Sequence, residues 1–256
     1  MIIQGKFCVF CTALLLFFSG QAFAVSDGDI SRVLLQASNA YKEGRYDESV
    51  HLYESIAASG ISNGKLYYNL GNAYMRSGRT GLALLNYRRA ELHIPRNSDL
   101  RFNIQYALTK VRDSIECRGY TETLRDLCFW YTRMSATEIF WTAVILNALF
   151  WLLLLARFFY RREGLTIVLV IVLFMALIFC TSAAVKHYVV VFMPQGVVTA
   201  PEMLVRSGTG LNDTVLFKLH EAAEFTVEEE RDQWVLISLC DGKKGWVQAG
   251  SIAKVD

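Results

Sequence analysis

The sequence places few reactive side chains in patterns that would support catalysis. Its four histidines are His51, His93, His187 and His220, and none has a second metal ligand at a useful spacing. A phosphate-binding glycine loop, a G-x-S-x-G nucleophile elbow and an H-E-x-x-H zinc motif do not occur in the 256 residues. We therefore expect a protein that is not an enzyme and uses no cofactor or metal. Binding another protein is the function that its aromatic and polar residues favour.

Six cysteines are the other candidates for chemistry. Cys8 and Cys11 lie inside an apolar N-terminal run, where a redox motif would lack the exposed thiolate it needs. Cys117 and Cys128 are close in sequence, in a segment that we expect to be exported, so a disulfide between them is one possibility. The alternative is that both thiols are unpaired. In a redox enzyme at least one of these thiols would have to be reactive. Cys240 is expected to be a small core residue.

Residues 64–97 are the most regular stretch and indicate two short helices. Gly71 and Ala83 are small, so the two helices can approach each other closely. Gly78 can end the first helix without a Cβ penalty, and Pro95 stops the second. This spacing resembles the 34-residue tetratricopeptide (TPR) helix–turn–helix repeat.

A single repeat of this kind cannot bury both of its faces, so neighbouring repeats are expected. Gly44 lies one repeat length before Gly78, which predicts an earlier, degenerate repeat. The chain after the second repeat has one more helical pattern. We expect an all-α TPR solenoid over residues 30–115, in which repeats at about 30–63 and 64–97 are followed by a capping helix.

The resemblance to TPR repeats implies a binding groove, because in that class the first helix of each pair lines the concave face. Tyrosine rings there would give apolar contact, Asn72 would hold a peptide backbone and Arg76 a carboxylate. We expect alanine at Asn72 and Arg76 to weaken partner capture and to leave the fold intact. Packing between repeats is the alternative role for the tyrosines. The candidate peptide-binding residues are Tyr41, Tyr68, Asn72, Met75, Arg76 and Tyr106.

Three apolar segments indicate export and membrane insertion. Residues 1–24 have one lysine, an apolar run and a closing Ala-Phe-Ala, which predicts a signal peptide. An uncleaved anchor is the alternative. Residues 137–157 and 164–186 are each long enough to cross about 30 Å of hydrocarbon as transmembrane helices. Residues 116–136 before them are expected to form a linker or an interfacial helix.

The charge distribution predicts the orientation of this transmembrane hairpin in the lipid bilayer. Arginines cluster at the short loop 158–163, and arginine-rich short loops favour the cytoplasm. We therefore expect a multi-pass protein of the inner (cytoplasmic) membrane with both flanking domains on the periplasmic side. The net charge of +2 gives no reason to expect nucleic acid as a partner.

Residues 196–256 change to short runs of period two separated by turns, which predicts a small all-β barrel. The strings LVRSGTG and QWVLISLCDGKKGWV resemble the bacterial SH3-like domain, with Trp234 and Trp246 expected to supply most of the aromatic burial. That family usually has a glycine at the position of either Ala222 or Ala223, so this turn can differ in shape. The domain is expected either to bind cell-wall peptide or to be a stability and contact module.

Taken together, these segments resemble the BatE-type proteins of the Bacteroides-type aerotolerance operon. The strings LYYNLGNAY and RFNIQYA and the SH3-like end carry the resemblance. It implies partnership with von Willebrand A-domain membrane proteins of the same operon and a role in aerotolerance or envelope stress. We expect a non-enzymatic, membrane-anchored TPR scaffold that mediates protein–protein interactions. The alternative is a cell-wall sensor that binds peptidoglycan or peptide through its SH3-like domain.

Overall fold

The computed structural model describes residues 27–113, 115, 128–160 and 162–255. The predicted signal peptide, Cys117 and most of the predicted linker lie outside the described residues. The described helices are α1 (Asp27–Lys42), α2 (Tyr46–Ala58), α3 (Gly64–Arg76), α4 (Thr80–His93), α5 (Ser98–Leu108), α6 (Phe129–Arg133), α7 (Ala136–Phe159) and α8 (Glu163–Phe192).

Helices α1 to α5 form a helical domain of two successive hairpins and a fifth helix. The turns depend on glycine, because Gly44 and Gly78 adopt φ of +80° and +81°, which costs a residue with a Cβ more. Asparagine caps the next helices: the side chains of Asn63 and Asn97 accept hydrogen bonds from backbone N–H groups in the first turns of α3 and α5. The helices therefore start and stop where the local residue types allow it.

The two helices of the second hairpin pack closely because α3 carries Gly71 at the crossing point. A Cβ at Gly71 would lie 2.6 Å from two ring atoms of Tyr87 on α4. Tyr87 is 1% exposed, and Ala83 beside it is fully buried. The predicted close approach of these helices is found, with the Tyr87 ring occupying the space that the missing side chain leaves.

Helices α7 and α8 form an antiparallel pair that is long and apolar enough to cross a membrane. Ser135 starts α7 with a capping box, in which its hydroxyl accepts from Glu138 N–H and its own N–H donates to the Glu138 carboxylate. The pair is tied at one end, where Lys186 Nζ donates to the carbonyls of Tyr131 and Met134. Most of the apolar surface of both helices is exposed in the described structure.

The C-terminal residues form a β-domain with one antiparallel sheet of seven strands. Its strand order is β3-β2-β6-β5-β4-β1-β7. Phe225 is 4% exposed and fills the core with aliphatic residues, whereas Trp234 and Trp246 are only half-buried. Phe225 therefore adds to the aromatic burial that we expected mainly from the two tryptophans. The strands are β1 (Gln195–Val198), β2 (Glu202–Arg206), β3 (Val215–His220), β4 (Glu224–Arg231), β5 (Trp234–Ser238), β6 (Lys244–Gln248) and β7 (Ile252–Lys254).

The turn between β3 and β4 contains Ala222 and Ala223, one of which stands where SH3-like domains usually have glycine. Ala222 adopts φ of +69° there, in the left-handed region. This conformation costs about 1–2 kcal/mol for a residue with a Cβ. Ala222 is 1% exposed and packs with the apolar core of the helical domain, so burial of its methyl group offsets part of that cost.

The helical domain and the β-domain are in direct contact through α4. Helix α4 has no side-chain cap of its own, and Glu221 of the β-domain takes that role by accepting from Gly81 N–H at 2.7 Å. Arg88 donates to both carboxylate oxygens of Glu224, at 2.6 and 3.0 Å. Val197 from β1 lies in the same apolar cluster as the core of the helical domain.

A second contact joins the end of the helical domain to β3. Asp113 accepts from His220 N–H at 2.7 Å, and its other carboxylate oxygen lies 2.8 Å from His220 Nδ1. Arg96, in the turn before α5, pairs with Glu138 at the start of α7. The two domains therefore lie together at the same end of the α7–α8 pair.

Candidate binding groove

One groove of about 530 Å³ on the helical domain contains five of the six residues predicted to bind peptide. Tyr68 is the sixth and is not among the lining residues: its hydroxyl accepts from Asn103 Nδ2 at 3.4 Å, and its ring lies tilted beside that of Tyr87. The lining residues from the prediction are Tyr41, Asn72, Met75, Arg76 and Tyr106.

The structure adds polar residues to the groove that the sequence reasoning missed. Asn103 and Lys110 line it from the side of α5, and Thr80 lines it from the start of α4. Asn103 lies one helical turn before Tyr106, which the sequence had assigned to the groove, so helical spacing was the signal that could have found it. Lys110 lies just after the end of α5, where helical periodicity no longer applies.

An amide network fixes what the groove offers to a ligand. Asn72 Oδ1 accepts from the Tyr87 hydroxyl at 2.9 Å and from Asn103 Nδ2 at 2.8 Å. Both of these bonds use the oxygen of Asn72, so its NH₂ group is left to donate and Asn103 Oδ1 is left to accept, and both residues line the groove. A donor and an acceptor side by side match the C=O and N–H groups of an extended peptide backbone.

Burial keeps the Tyr87 hydroxyl, which donates to this network, in its protonated state. Burial is the main cause that raises the pKa of Tyr87, and the neighbouring Tyr68 adds to it. The Tyr87 hydroxyl therefore remains protonated and continues to donate to Asn72 across the physiological pH range. Because Tyr87 also fills the gap opposite Gly71, the network is attached to the close contact between α3 and α4.

Two cations give the groove a positive potential. Arg76 donates to the Tyr46 hydroxyl from Nε at 3.1 Å and from Nη2 at 2.7 Å, and it lies over the Tyr46 ring. Lys110 Nζ lies 5.2 Å from the centre of the Tyr106 ring. Among the described residues that line the groove there is no carboxylate. The arrangement therefore suits an acidic or carboxylate-bearing ligand.

The described cysteines do not contain the disulfide that spacing had suggested. Cys128 and Cys180 carry free thiols, so the Cys117–Cys128 pair is not formed. Cys240 is disulfide-bonded and lies at the surface, which corrects the expectation of a small core residue.

Comparison with known proteins gives one weak match. No model of a protein family matches the chain. A curated Bacillus subtilis protein named "Putative N-acetylmuramoyl-L-alanine amidase YrvJ" is 37% identical to it over 87 residues. The match covers 33% of this chain, and the chain spans only 17% of that relative's length. The similarity therefore points to a shared cell-wall-related domain, not to a shared overall architecture.

Proposed function

We propose that this protein is a non-enzymatic scaffold, anchored in a membrane by α7 and α8, whose helical groove captures an acidic segment of a partner protein. The observation that carries the proposal is the fixed amide pair of Asn72 and Asn103 between the cations Arg76 and Lys110. Such a pair reads a peptide backbone, and the cations select its charge. The resemblance to TPR repeats supports the same role.

The proposed setting is the periplasmic face of an inner membrane. Arg157 and Arg162 flank the turn between α7 and α8, and a basic turn favours the cytoplasm. The two domains lie at the opposite end of this pair and would thus face the periplasm. The resemblance to BatE-type proteins suggests von Willebrand A-domain membrane proteins as partners and aerotolerance or envelope stress as the process served.

A binding experiment tests the groove directly. Full-length protein in detergent is titrated with a fluorescent acidic peptide that has a free C-terminal carboxylate, and anisotropy is measured. We expect Arg76→Gln to weaken binding about tenfold, because a charge-assisted hydrogen bond is lost. Arg101→Gln makes the same change on an exposed residue of α5 outside the groove and should bind like the wild type.

Two outcomes of that titration would contradict the proposal. One is equal affinity of the wild type for the acidic peptide and for a basic peptide of the same length. The other is an equal effect of Arg76→Gln and Arg101→Gln. Photo-crosslinking from position 75 in native membranes then identifies the natural partner, and the segment captured should carry carboxylates.

A cell-wall sensor is the second candidate, and the match to the amidase favours it. In this case the β-domain would bind peptidoglycan and the helical domain would transmit the contact. The side of the β-domain formed by β1 and the β3–β4 turn is occupied by α4, so wall would have to bind elsewhere on the sheet. Co-sedimentation of the full-length protein with purified wall, unaffected by Arg76→Gln, would favour the sensor over the scaffold.

A further inference from the structure

A cavity of about 590 Å³ lies where the end of α7 meets the start of α8. Its lining combines two guanidinium groups, a hydroxyl, a carboxylate and two apolar side chains. The Arg96–Glu138 ion pair between the helical domain and the anchor lies at the start of α7, so the cavity belongs neither to the groove nor to the domain contact. The lining residues are Leu154, Arg157, Phe158, Arg162, Glu163 and Thr166.

The two arginines of this cavity carry positive charge that no carboxylate pairs with. Arg157, in the last turn of α7, donates from Nη1 to the hydroxyl of Thr166 on α8. Thr166 is neutral, and neither Arg157 nor Arg162 forms an ion pair with any residue that the structure describes. Two positive charges and the one negative charge of Glu163 leave the lining with an excess of one positive charge. The cavity therefore attracts an anion.

The other side of the cavity is apolar and open to the surroundings. The side chains of Phe158 and Leu154 are 78% and 39% exposed. Both arginines lie at the ends of the two apolar helices, where a membrane would change from hydrocarbon to head groups. Tyr160, 67% exposed in the same turn, is a residue type that favours this interface. An anion that binds here would thus have an acyl chain within reach of the apolar side.

We propose that this cavity binds one anionic phospholipid of the cytoplasmic leaflet. Its phosphodiester lies between Arg157 and Arg162, and one acyl chain packs against Phe158 and Leu154. The planar fork of a guanidinium matches two phosphate oxygens, and basic pockets between transmembrane helices bind anionic head groups on this side of a membrane. The inference rests on the proposed membrane insertion of α7 and α8, but not on peptide capture by the groove.

The charge of the head group determines which lipid the cavity selects. Phosphatidylglycerol has a phosphodiester and no cationic group. Phosphatidylcholine has the same phosphodiester and a quaternary ammonium, which two adjacent guanidinium groups repel. The cavity should therefore prefer the first lipid when the acyl chains of both are identical.

Native mass spectrometry tests this preference. Full-length protein in a mild detergent is mixed with equal amounts of dioleoyl-phosphatidylglycerol and dioleoyl-phosphatidylcholine, and the retained lipids are counted. The first lipid that the wild type retains should be phosphatidylglycerol, with about tenfold preference. Arg157→Gln and Arg162→Gln should each reduce this preference by at least about threefold, and the double variant should abolish it.

Two further variants separate the cavity from general attraction to positive charge. Arg133→Gln makes the same change on an exposed residue of α6, near the other end of the anchor, and should retain lipid like the wild type. Glu163→Gln removes the carboxylate that lines the cavity and should increase the preference for phosphatidylglycerol. Circular dichroism should give the helix content of the wild type for every variant.

Equal retention of the two lipids by the wild type would overturn the proposal, and so would equal effects of Arg133→Gln and Arg157→Gln. Displacement of the lipid by millimolar glycerophosphoglycerol, which has the head group without acyl chains, would show that the cavity is not a lipid site. Failure of the protein to enter phosphatidylcholine vesicles would contradict the membrane anchor and this proposal together. Arg157→Gln should bind the acidic peptide like the wild type, so the groove is tested separately.

Discussion

At the scale of single residues, Asn72 has two functions in one side chain. Its oxygen holds Tyr87 and Asn103 in place, and its NH₂ group is left to donate to a ligand in the groove that Asn72 lines. Tyr87 is 1% exposed, so a change that removes the oxygen leaves a buried hydroxyl without its acceptor. Alanine at this position would thus cost about 1–3 kcal/mol of folding stability. The sequence-based expectation that alanine leaves the fold intact is revised for this reason.

Asn72→Asp separates the two functions. The carboxylate keeps an acceptor for Tyr87 and Asn103 but removes the donor and adds a negative charge in the groove. We expect a thermal midpoint within a few degrees of the wild type and at least tenfold weaker binding of the acidic peptide, about 1.4 kcal/mol. Circular dichroism melting and anisotropy titration check the two parts. Unchanged peptide affinity in a folded Asn72→Asp protein would show that the Asn72 amide does not contact the ligand.

At the scale of elements, Gly81 sets how closely α4 and the β-domain approach. A Cβ there would lie 2.5 Å from the carbonyl oxygen of Val198 and 2.7 Å from Glu221 Cγ. Gly81→Ala should therefore weaken the domain contact by about 1–3 kcal/mol, although alanine itself favours helix by about 1 kcal/mol. Hydrogen exchange of the amide at position 81, which Glu221 protects, should become faster.

Gly250→Ala is the matched control for this change, because nothing lies within 4 Å of a Cβ at Gly250. Its exchange pattern at α4 should be that of the wild type. If the amide at position 81 exchanges equally slowly in Gly81→Ala and Gly250→Ala, the domains do not depend on this close approach.

The Arg88–Glu224 pair is a polar link between the two domains with two hydrogen bonds. Burial acts to lower the pKa of Arg88, but the hydrogen bond and charge of Glu224, with help from Glu91, raise it above its ordinary value. The guanidinium therefore stays charged, and its side chain is 23% exposed. Removal of Arg88 would leave Glu224 without this counter-charge in a partly buried site, whereas Arg88 would keep its ion pair with Glu91 if Glu224 were changed.

We expect Arg88→Met and Glu224→Gln each to destabilise the folded protein by about 2 kcal/mol. The double variant should lose clearly less than the sum, because the two changes remove the same interaction. Urea unfolding of the four proteins of this cycle gives the coupling energy. Additive losses would mean that the pair contributes nothing beyond its separate contacts.

The helices were predictable from sequence, whereas the contact between the domains was not. Gly44, Gly78 and the asparagine caps act within a few residues of the turns they form, so their spacing shows in the sequence. Gly81 and Glu221 are 140 positions apart, and their contact depends on the fit of two finished surfaces. No periodicity records such a fit. Helical spacing from Tyr106 could have placed Asn103 in the groove, but its hydrogen bond to Asn72 depends on a partner on another helix.

At the scale of the whole molecule, the contact between the domains restricts the topology. The residues before α7 touch those after α8, so if α7 and α8 each cross a membrane, as we propose, both domains must lie on the same side of it. Alkaline phosphatase, which is active only outside the cytoplasm, is fused after residue 256 or inserted into the 160–162 turn. We expect activity from the first fusion and not from the second.

Green fluorescent protein at the same two positions is the complementary control, since it matures in the cytoplasm and should fluoresce only in the turn. Fluorescence from the C-terminal fusion would contradict the periplasmic assignment of both domains. A tag can also be placed at the N-terminus, after the predicted cleavage site. If this tag and the C-terminus lie on opposite sides of the membrane, the hairpin itself is contradicted.

Arg96 forms an ion pair with Glu138, and Lys186 donates to the segment before α7. These contacts affect which partners can bind in the groove. The ion pair of Arg96 links the helical domain to the start of α7, and the bonds of Lys186 link α8 to the segment just before α7. With α7 and α8 in a membrane, as we propose, these contacts would set the distance of the groove from the lipid surface and its orientation relative to that surface. A partner fixed in the same membrane would then be selected by the position of its binding segment as well as by its charge. A freely diffusing peptide would be selected by its chemistry alone.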